Sequence, residues 1–164
     1  MTLIIDGYNL LHASGVFGEE RGQRGFEASR LKLLDLLADL VGDEAERTIV
    51  VFDAANAPDG LPGRYRHRGL SVLFAREYPD ADSLIEELVE ADTSPGGLIV
   101  VSSDRRIAAA VRRRRGTAID SDRWLAEAKS ALAARRRPVD GKPPEPQSPS
   151  EVAAWLREFG IDAD

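Results

Sequence analysis

Two apolar runs of this chain stop on an aspartate, "LIID" at residues 3–6 and "IVVFD" at residues 49–53. A third, "LIVVSSD" at residues 98–104, reaches Asp104 two serines past its end. Runs of this kind read as strands buried on both faces. In a parallel sheet the C-terminal ends of the strands share one edge, and ligands bind there, where strand order reverses. Asp6, Asp53 and Asp104 are therefore expected on one edge. Asp80 and Asp82 open an amphipathic helix in "PDADSLIEELVEA" and belong to the same edge. Asp80 fits a helix cap, whereas Asp82 is displaced from the cap position, beside the apolar face. Asp104 is a candidate cap for its own helix, a role that Ser103 could take instead. Carboxylates gathered in one cleft repel, and protonation or a divalent cation relieves the repulsion. Oxygen-only donors favour Mg²⁺ or Mn²⁺, and metal-assisted phosphodiester hydrolysis follows: the ion lowers the pKa of a bound water and offsets charge on the phosphoryl oxygens.

Other chemistries lack their residues. A dinucleotide site needs G-x-G-x-x-G after the first strand, and "DGYNLLHASG" does not supply it. Neither a P-loop nor a G-x-S-x-G serine elbow is present. The absence of cysteine excludes disulfides, thiolate zinc sites and thiol catalysis. The two histidines, His12 and His67, lack metal-ligand spacing.

The elements that must hold the acids alternate. Apolar strands are expected at residues 3–5, 47–54, 70–75, 97–104 and 116–120. Helices are expected at 26–41, from Asp80 onward, after Asp104, and at 122–136. Residues 6–9 read as a turn after the first strand, and the Gly, Pro and Arg-rich stretch 56–69 reads as a loop. Alternation implies an α/β fold with a mostly parallel sheet and helices on both faces. Residues 138–149 read as a proline-rich linker, and the spacing of Val152, Trp155, Leu156 and Phe159 predicts a last amphipathic helix within 150–164.

At 164 residues and 43% hydrophobic positions, the chain suits one well-buried domain. No run approaches the roughly 18 apolar residues of a membrane span, and the composition fits a soluble cytoplasmic protein. The net charge of −6 argues mildly against general nucleic-acid binding. The distribution says more: residues 77–92 are acidic with no base, while residues 104–137 are rich in arginine.

"IIDGYNLLH" at residues 4–12, "VVFDA" at 50–54, "DADSLIEE" at 80–87 and "VVSSD" at 100–104 resemble the ordered motifs of the NYN domain, specifically its bacterial YacP-like branch. These domains belong to the PIN-like ribonuclease superfamily. The resemblance covers roughly residues 2–137, taken as the nuclease domain (residues 1–137). It implies a three-layer Rossmann-like sheet of order 3-2-1-4-5 and a Mg²⁺ or Mn²⁺ site acting as an RNA endonuclease. By position, Asp6, Asp82 and Asp104 match the metal-binding acids. Asn9 matches the asparagine that orients a carboxylate or contacts phosphate, and Asp53 an outlying acid. The family often shows two adjacent acids in the helix motif; here Ser83 follows Asp82, and Glu86, one turn along, is a candidate substitute.

Arginines on loops at the active edge would hold the RNA backbone: Arg21 and Arg24 after the first strand, Arg64, Arg66 and Arg68 after the second, and Arg105 and Arg106 beside Asp104. Tyr65, set between arginines, could stack on an unpaired base. The run of arginines at 112–115 lies about 15 Å from its helix start and is expected off the catalytic edge. Messenger RNA on the ribosome, transfer RNA and ribosomal RNA all stay open as partners. A non-catalytic RNA-binding module and a metal-dependent phosphatase are the rival functions.

Overall fold

β1 (Thr2–Asp6) buries Leu3, Ile4 and Ile5, and its neighbours β2 (Thr48–Phe52) and β5 (Leu98–Val101) pair with it in parallel. A strand flanked on both sides and covered on both faces has no solvated side, so the run is apolar without alternation. The computed structural model describes residues 1–15, 23–57 and 60–136. The expected linker at 138–149, the expected helix within 150–164, and Arg21 lie outside these residues. The chain divides into two compact units, Met1–Leu125 and Ala126–Asp164. The first holds the whole sheet; of the second, the described part continues α5 (Ser121–Arg135) and ends at Arg136.

The six strands run in the order β3-β4-β2-β1-β5-β6, completed by β3 (Arg64–His67), β4 (Leu70–Phe74) and β6 (Thr117–Ile119). The five parallel strands keep the order expected from the motifs, and β3 is an addition. It pairs antiparallel with β4 through a two-residue turn in which both Arg68 and Gly69 have positive φ, +48° and +91°. Such turns match the twist of paired strands. The stretch expected as a loop thus ends as an edge strand, and its charged residues suit an exposed sheet edge.

α1 (Gly7–Ser14) and α2 (Gln23–Val41) lie between β1 and β2 in the chain, α3 (Ala81–Ala91) between β4 and β5, and α4 (Arg105–Arg113) between β5 and β6. Right-handed crossovers running in opposite directions across a sheet put their helices on opposite faces. Accordingly, Ile4, Val51, Leu73 and Val100 pack with Leu84, Ile85 and Val89 of α3 and Ile107 and Val111 of α4. The other face presents Phe52 and Phe74, whose ring centroids stand 6.0 Å apart, toward α1 and α2. Gly7 lies against Phe52: a Cβ at Gly7 would stand 2.5 Å from the ring, so only glycine fits. Arg30 of α2, 1% exposed, lies over the Phe74 ring at 5.3 Å. No helix among the described residues is long and apolar enough to cross a membrane.

Candidate active site

The strand order reverses between β1 and β5, and the acids gather at the C-terminal end of these strands. Asp6 ends β1 and caps α1 with no loop between, correcting the expected turn. It is 2% exposed. Its Oδ2 accepts from Asn9 Nδ2 at 2.7 Å and from Ser102 Oγ at 2.9 Å, and its Oδ1 accepts from the Asn9 backbone N–H at 3.4 Å. Burial raises the Asp6 pKa above the usual carboxylate value, and the donors from Ser102 and Asn9 oppose that rise.

Asp104 caps α4 and accepts from the backbone N–H of Arg106 at 2.8 Å. Its own backbone N–H donates to Ser102 Oγ at 3.1 Å, so one hydroxyl ties Asp6 to the start of α4. Ser102, which the motifs did not single out, thus joins Asp6 and Asp104 of the candidate site. Strand alternation could have found it: Leu98, Val100 and Ser102 share a face, and Ser103 takes the other. Ser103 instead accepts from the Ser121 backbone N–H at 3.4 Å, away from Asp6.

Asp82 stands in the first turn of α3, where burial and the nearby Asp104 and Asp6 carboxylates push its pKa up to about 6. In its protonated form it hydrogen-bonds Asp104. Asp80 caps α3, accepting from both the backbone N–H and the hydroxyl of Ser83 at 2.7 Å, which holds its carboxyl below the usual range. Asp53 accepts from the Ala81 backbone N–H at 2.7 Å, anchoring the start of α3 to the end of β2. Glu86 is gripped by Arg106, with Nε at 2.5 Å from Oε1 and Nη2 at 3.2 Å from Oε2. That grip takes both oxygens of the expected substitute ligand.

Among the described residues no three His, Cys, Asp or Glu side chains form a ready-made metal cage. Mg²⁺ does not require one: it binds through one or two carboxylates, keeping waters and taking phosphate oxygens. The Asp82–Asp104 pair fits that mode, with Asp6 within electrostatic reach and hydrogen-bonded in place.

The arginines divide. Arg64 pairs in register with Leu73, which is level with Val51 and Asp6, so it lies on the active edge, about 14 Å from β1 at strand spacing. Arg66 lies lower, opposite Ser71, and donates to the Gly69 carbonyl at 3.3 Å. Arg68 is at the far end of the sheet, paired with Asp39 at 2.8 Å and Asp35 at 3.6 Å. The expected active-edge position of Arg66 and Arg68 is therefore corrected: an antiparallel strand carries the chain away from that edge. Tyr65 stacks on Phe74 at 6.1 Å instead of projecting from a loop. Arg106 is held by Glu86 and stands 3.8 Å from Asp80. Arg105 is exposed beside Asp104, and Arg24 falls in α2. Tyr8, 40% exposed, stacks on Phe26 at 6.4 Å, and its edge contact with His12 measures 4.5 Å between ring centroids.

A family model described as the YacP-like NYN domain matches residues 3–151. "Uncharacterized protein YacP" of Bacillus subtilis (strain 168) is 33% identical over 89 residues, 54% of this chain and 51% of that protein, so the match spans about half the relative's length. Two crystal structures of Rae1 (YacP) from Bacillus subtilis, one of a point mutant, resemble the fold with a TM-score of 0.64 at 26% identity. Each match covers 82% of this chain, with 79% of the mutant chain and 76% of the other. The carboxylates at the switch point stand in the segments that carry the family motifs, and the chain belongs to the YacP-like NYN domain family, within the PIN-like nuclease superfamily.

Proposed function

We propose that this chain is a Mg²⁺- or Mn²⁺-dependent endoribonuclease that cuts RNA by attack of water, leaving 5′-phosphate and 3′-hydroxyl ends. The observation that carries the reading is the gathering of Asp6, Asp82 and Asp104 at the sheet's switch point, at the end of β1 and the starts of α3 and α4, with Ser102 tying Asp6 to the start of α4. Like charges held together at a ligand-binding edge favour a cation and an anionic substrate that shares it. When bound, the ion supplies a nucleophilic water at neutral pH and offsets charge developing on the phosphoryl oxygens.

In this reading Asp82 and Asp104 hold the ion. Asp6, fixed through Oδ2 by Asn9 and Ser102, keeps acceptor capacity on Oδ1 for a water or an additional ligand contact. Asp53 sets the start of α3 and thereby the position of Asp82. Arg64 and Arg105 take backbone phosphates at the two sides of the edge.

The test is cleavage of single-stranded RNA by the purified protein with Mg²⁺ or Mn²⁺, with EDTA, and with Asp6→Asn and Asp104→Asn. The reading expects metal-dependent cleavage that each substitution abolishes while circular dichroism stays unchanged. Unaltered activity in EDTA and in both variants would overturn it. RNA bound and left uncut would mark a non-catalytic module, and hydrolysis of a phosphomonoester in place of RNA would mark a phosphatase.

A further inference from the structure

The arginines along and just after α4 are of two kinds. Arg106 grips Glu86, and Arg114 donates to the Asp92 carbonyl at 2.8 Å. Arg105 and Arg112 are exposed and make no side-chain hydrogen bond or ion pair with the described residues. Both line one cavity of about 390 Å³, which also touches Asp104. Arg105, Ala108 and Arg112 follow i, i+3, i+7 spacing and so share one face of the helix. The small side chain of Ala108 leaves room between two arginines whose backbone positions stand about 10 Å apart along the helix axis. Ala118 and Ile119 of β6 supply an apolar wall, and Ser102, Ser103 and the Asp120 carboxylate complete the lining.

Two unpartnered guanidinium groups around a partly apolar floor suit one occupant chemistry, a planar base or ribose flanked by phosphates. A volume near 390 Å³ falls within the range of small-ligand pockets and suits one nucleotide. The backbone N–H groups of Arg106 and Ile107 at the helix start already point at Asp104, so the arginines, and not the helix end, provide the charge.

We propose that this cavity seats a nucleotide flanking the scissile phosphate of single-stranded RNA, with Arg105 and Arg112 holding its phosphates. The proposal rests on the endoribonuclease reading for the meaning of Asp104. It places Arg112, expected off the catalytic edge, in the substrate path.

The test is fluorescence anisotropy of a labelled single-stranded RNA oligonucleotide in EDTA over a series of KCl concentrations. Arg105→Gln and Arg112→Gln are each expected to weaken binding about tenfold and to lower the slope of log K against log salt by about 0.7, the loss of one phosphate contact. Arg113→Gln, next to Arg112 but outside the cavity, is expected to bind as wild type. In Mg²⁺ the two cavity variants are expected to raise KM and retain kcat. Wild-type affinity in both cavity variants, an equal loss in Arg113→Gln, or no RNA binding by the wild type would each overturn the proposal. Wild-type protein that binds RNA with these arginine effects yet cuts none in Mg²⁺ would leave the cavity assignment supported and remove the nuclease reading.

Discussion

The Asp53 carboxylate at the end of β2 accepts a hydrogen bond from the backbone N–H of Ala81 at 2.7 Å. Asp80 caps the same helix through Ser83. Two carboxylates from different segments thus satisfy the first turn of α3, and only the third, Asp82, is left to face Asp104. Asp53→Ala is expected to cost about 1 kcal/mol, the usual effect of losing a helix-start acceptor, and to lower cleavage by loosening Asp82. Asp53→Asn, which keeps an acceptor oxygen, is expected to restore most of both. Thermal unfolding and cleavage rates of the two variants check this.

Ser102 donates to Asp6 and accepts from Asp104 N–H, so Ser102→Ala removes a donor that lowers the Asp6 pKa. The acidic limb of the pH–rate profile is expected to move to higher pH. Ser103→Ala, whose side chain accepts from Ser121 N–H, is expected to leave that limb in place. A shift of equal size in both variants would contradict the assignment.

Burial and the neighbouring Asp104 and Asp6 carboxylates push the Asp82 pKa up from its ordinary 3.8 to about 6. Its folded-state pKa is raised, so protonation favours folding. The metal-free protein is therefore expected to gain stability from this group as pH falls from above 7 through 6 toward 4. Above 7 the ionised carboxyl is a penalty that solvent screening reduces. Asp82→Asn is expected to flatten that pH dependence and to raise Tm at neutral pH by roughly 2–4 °C, the response to about 1 kcal/mol in a chain of this size. Mg²⁺ is expected to raise Tm in the wild type more than in the variant. Scanning calorimetry across pH, with and without Mg²⁺, measures all three.

Arg30 is buried over Phe74 with its Nε and Nη1 unpaired, and Glu27 stands 3.8 Å from Nη2. A buried cation so poorly satisfied stabilises little. Arg30→Met keeps a long side chain on the ring and is expected to hold or raise Tm. Arg30→Ala leaves a void against Phe74 and is expected to cost roughly 2–4 kcal/mol. Chemical denaturation of both variants decides the point.

The parallel sheet was legible because β1, β2 and β5 are buried on both faces and so appear as unbroken apolar runs ending near acids. β3 was not, because an edge strand of Arg, Tyr, Arg and His carries no apolar signal. Its only mark is the Arg68–Gly69 turn, whose positive φ values belong to the backbone. α1 was hidden as well: Asp6-Gly7 ordinarily signals a turn, and here Asp6 instead caps a helix, its carboxylate accepting from the Asn9 backbone N–H. Asp6, Asp53 and Asp104 followed from strand ends, since topology alone brings those ends together, and Asp82 followed from the helix start on the same edge. Ser102 was legible only through the alternation that puts it on one face with Leu98 and Val100, whereas the pairing of Glu86 with Arg106 required the packing of α3 against α4.

The contact between Gly7 and Phe52 constrains how this sequence can drift. A substitution at position 7 is admissible only after position 52 has shrunk, so the two sites should change together across descendants. A lineage that acquires alanine at 7 should already carry leucine or valine at 52. The demand for glycine at position 7 then comes from an aromatic ring on the neighbouring strand and not from the chemistry of Asp6 beside it.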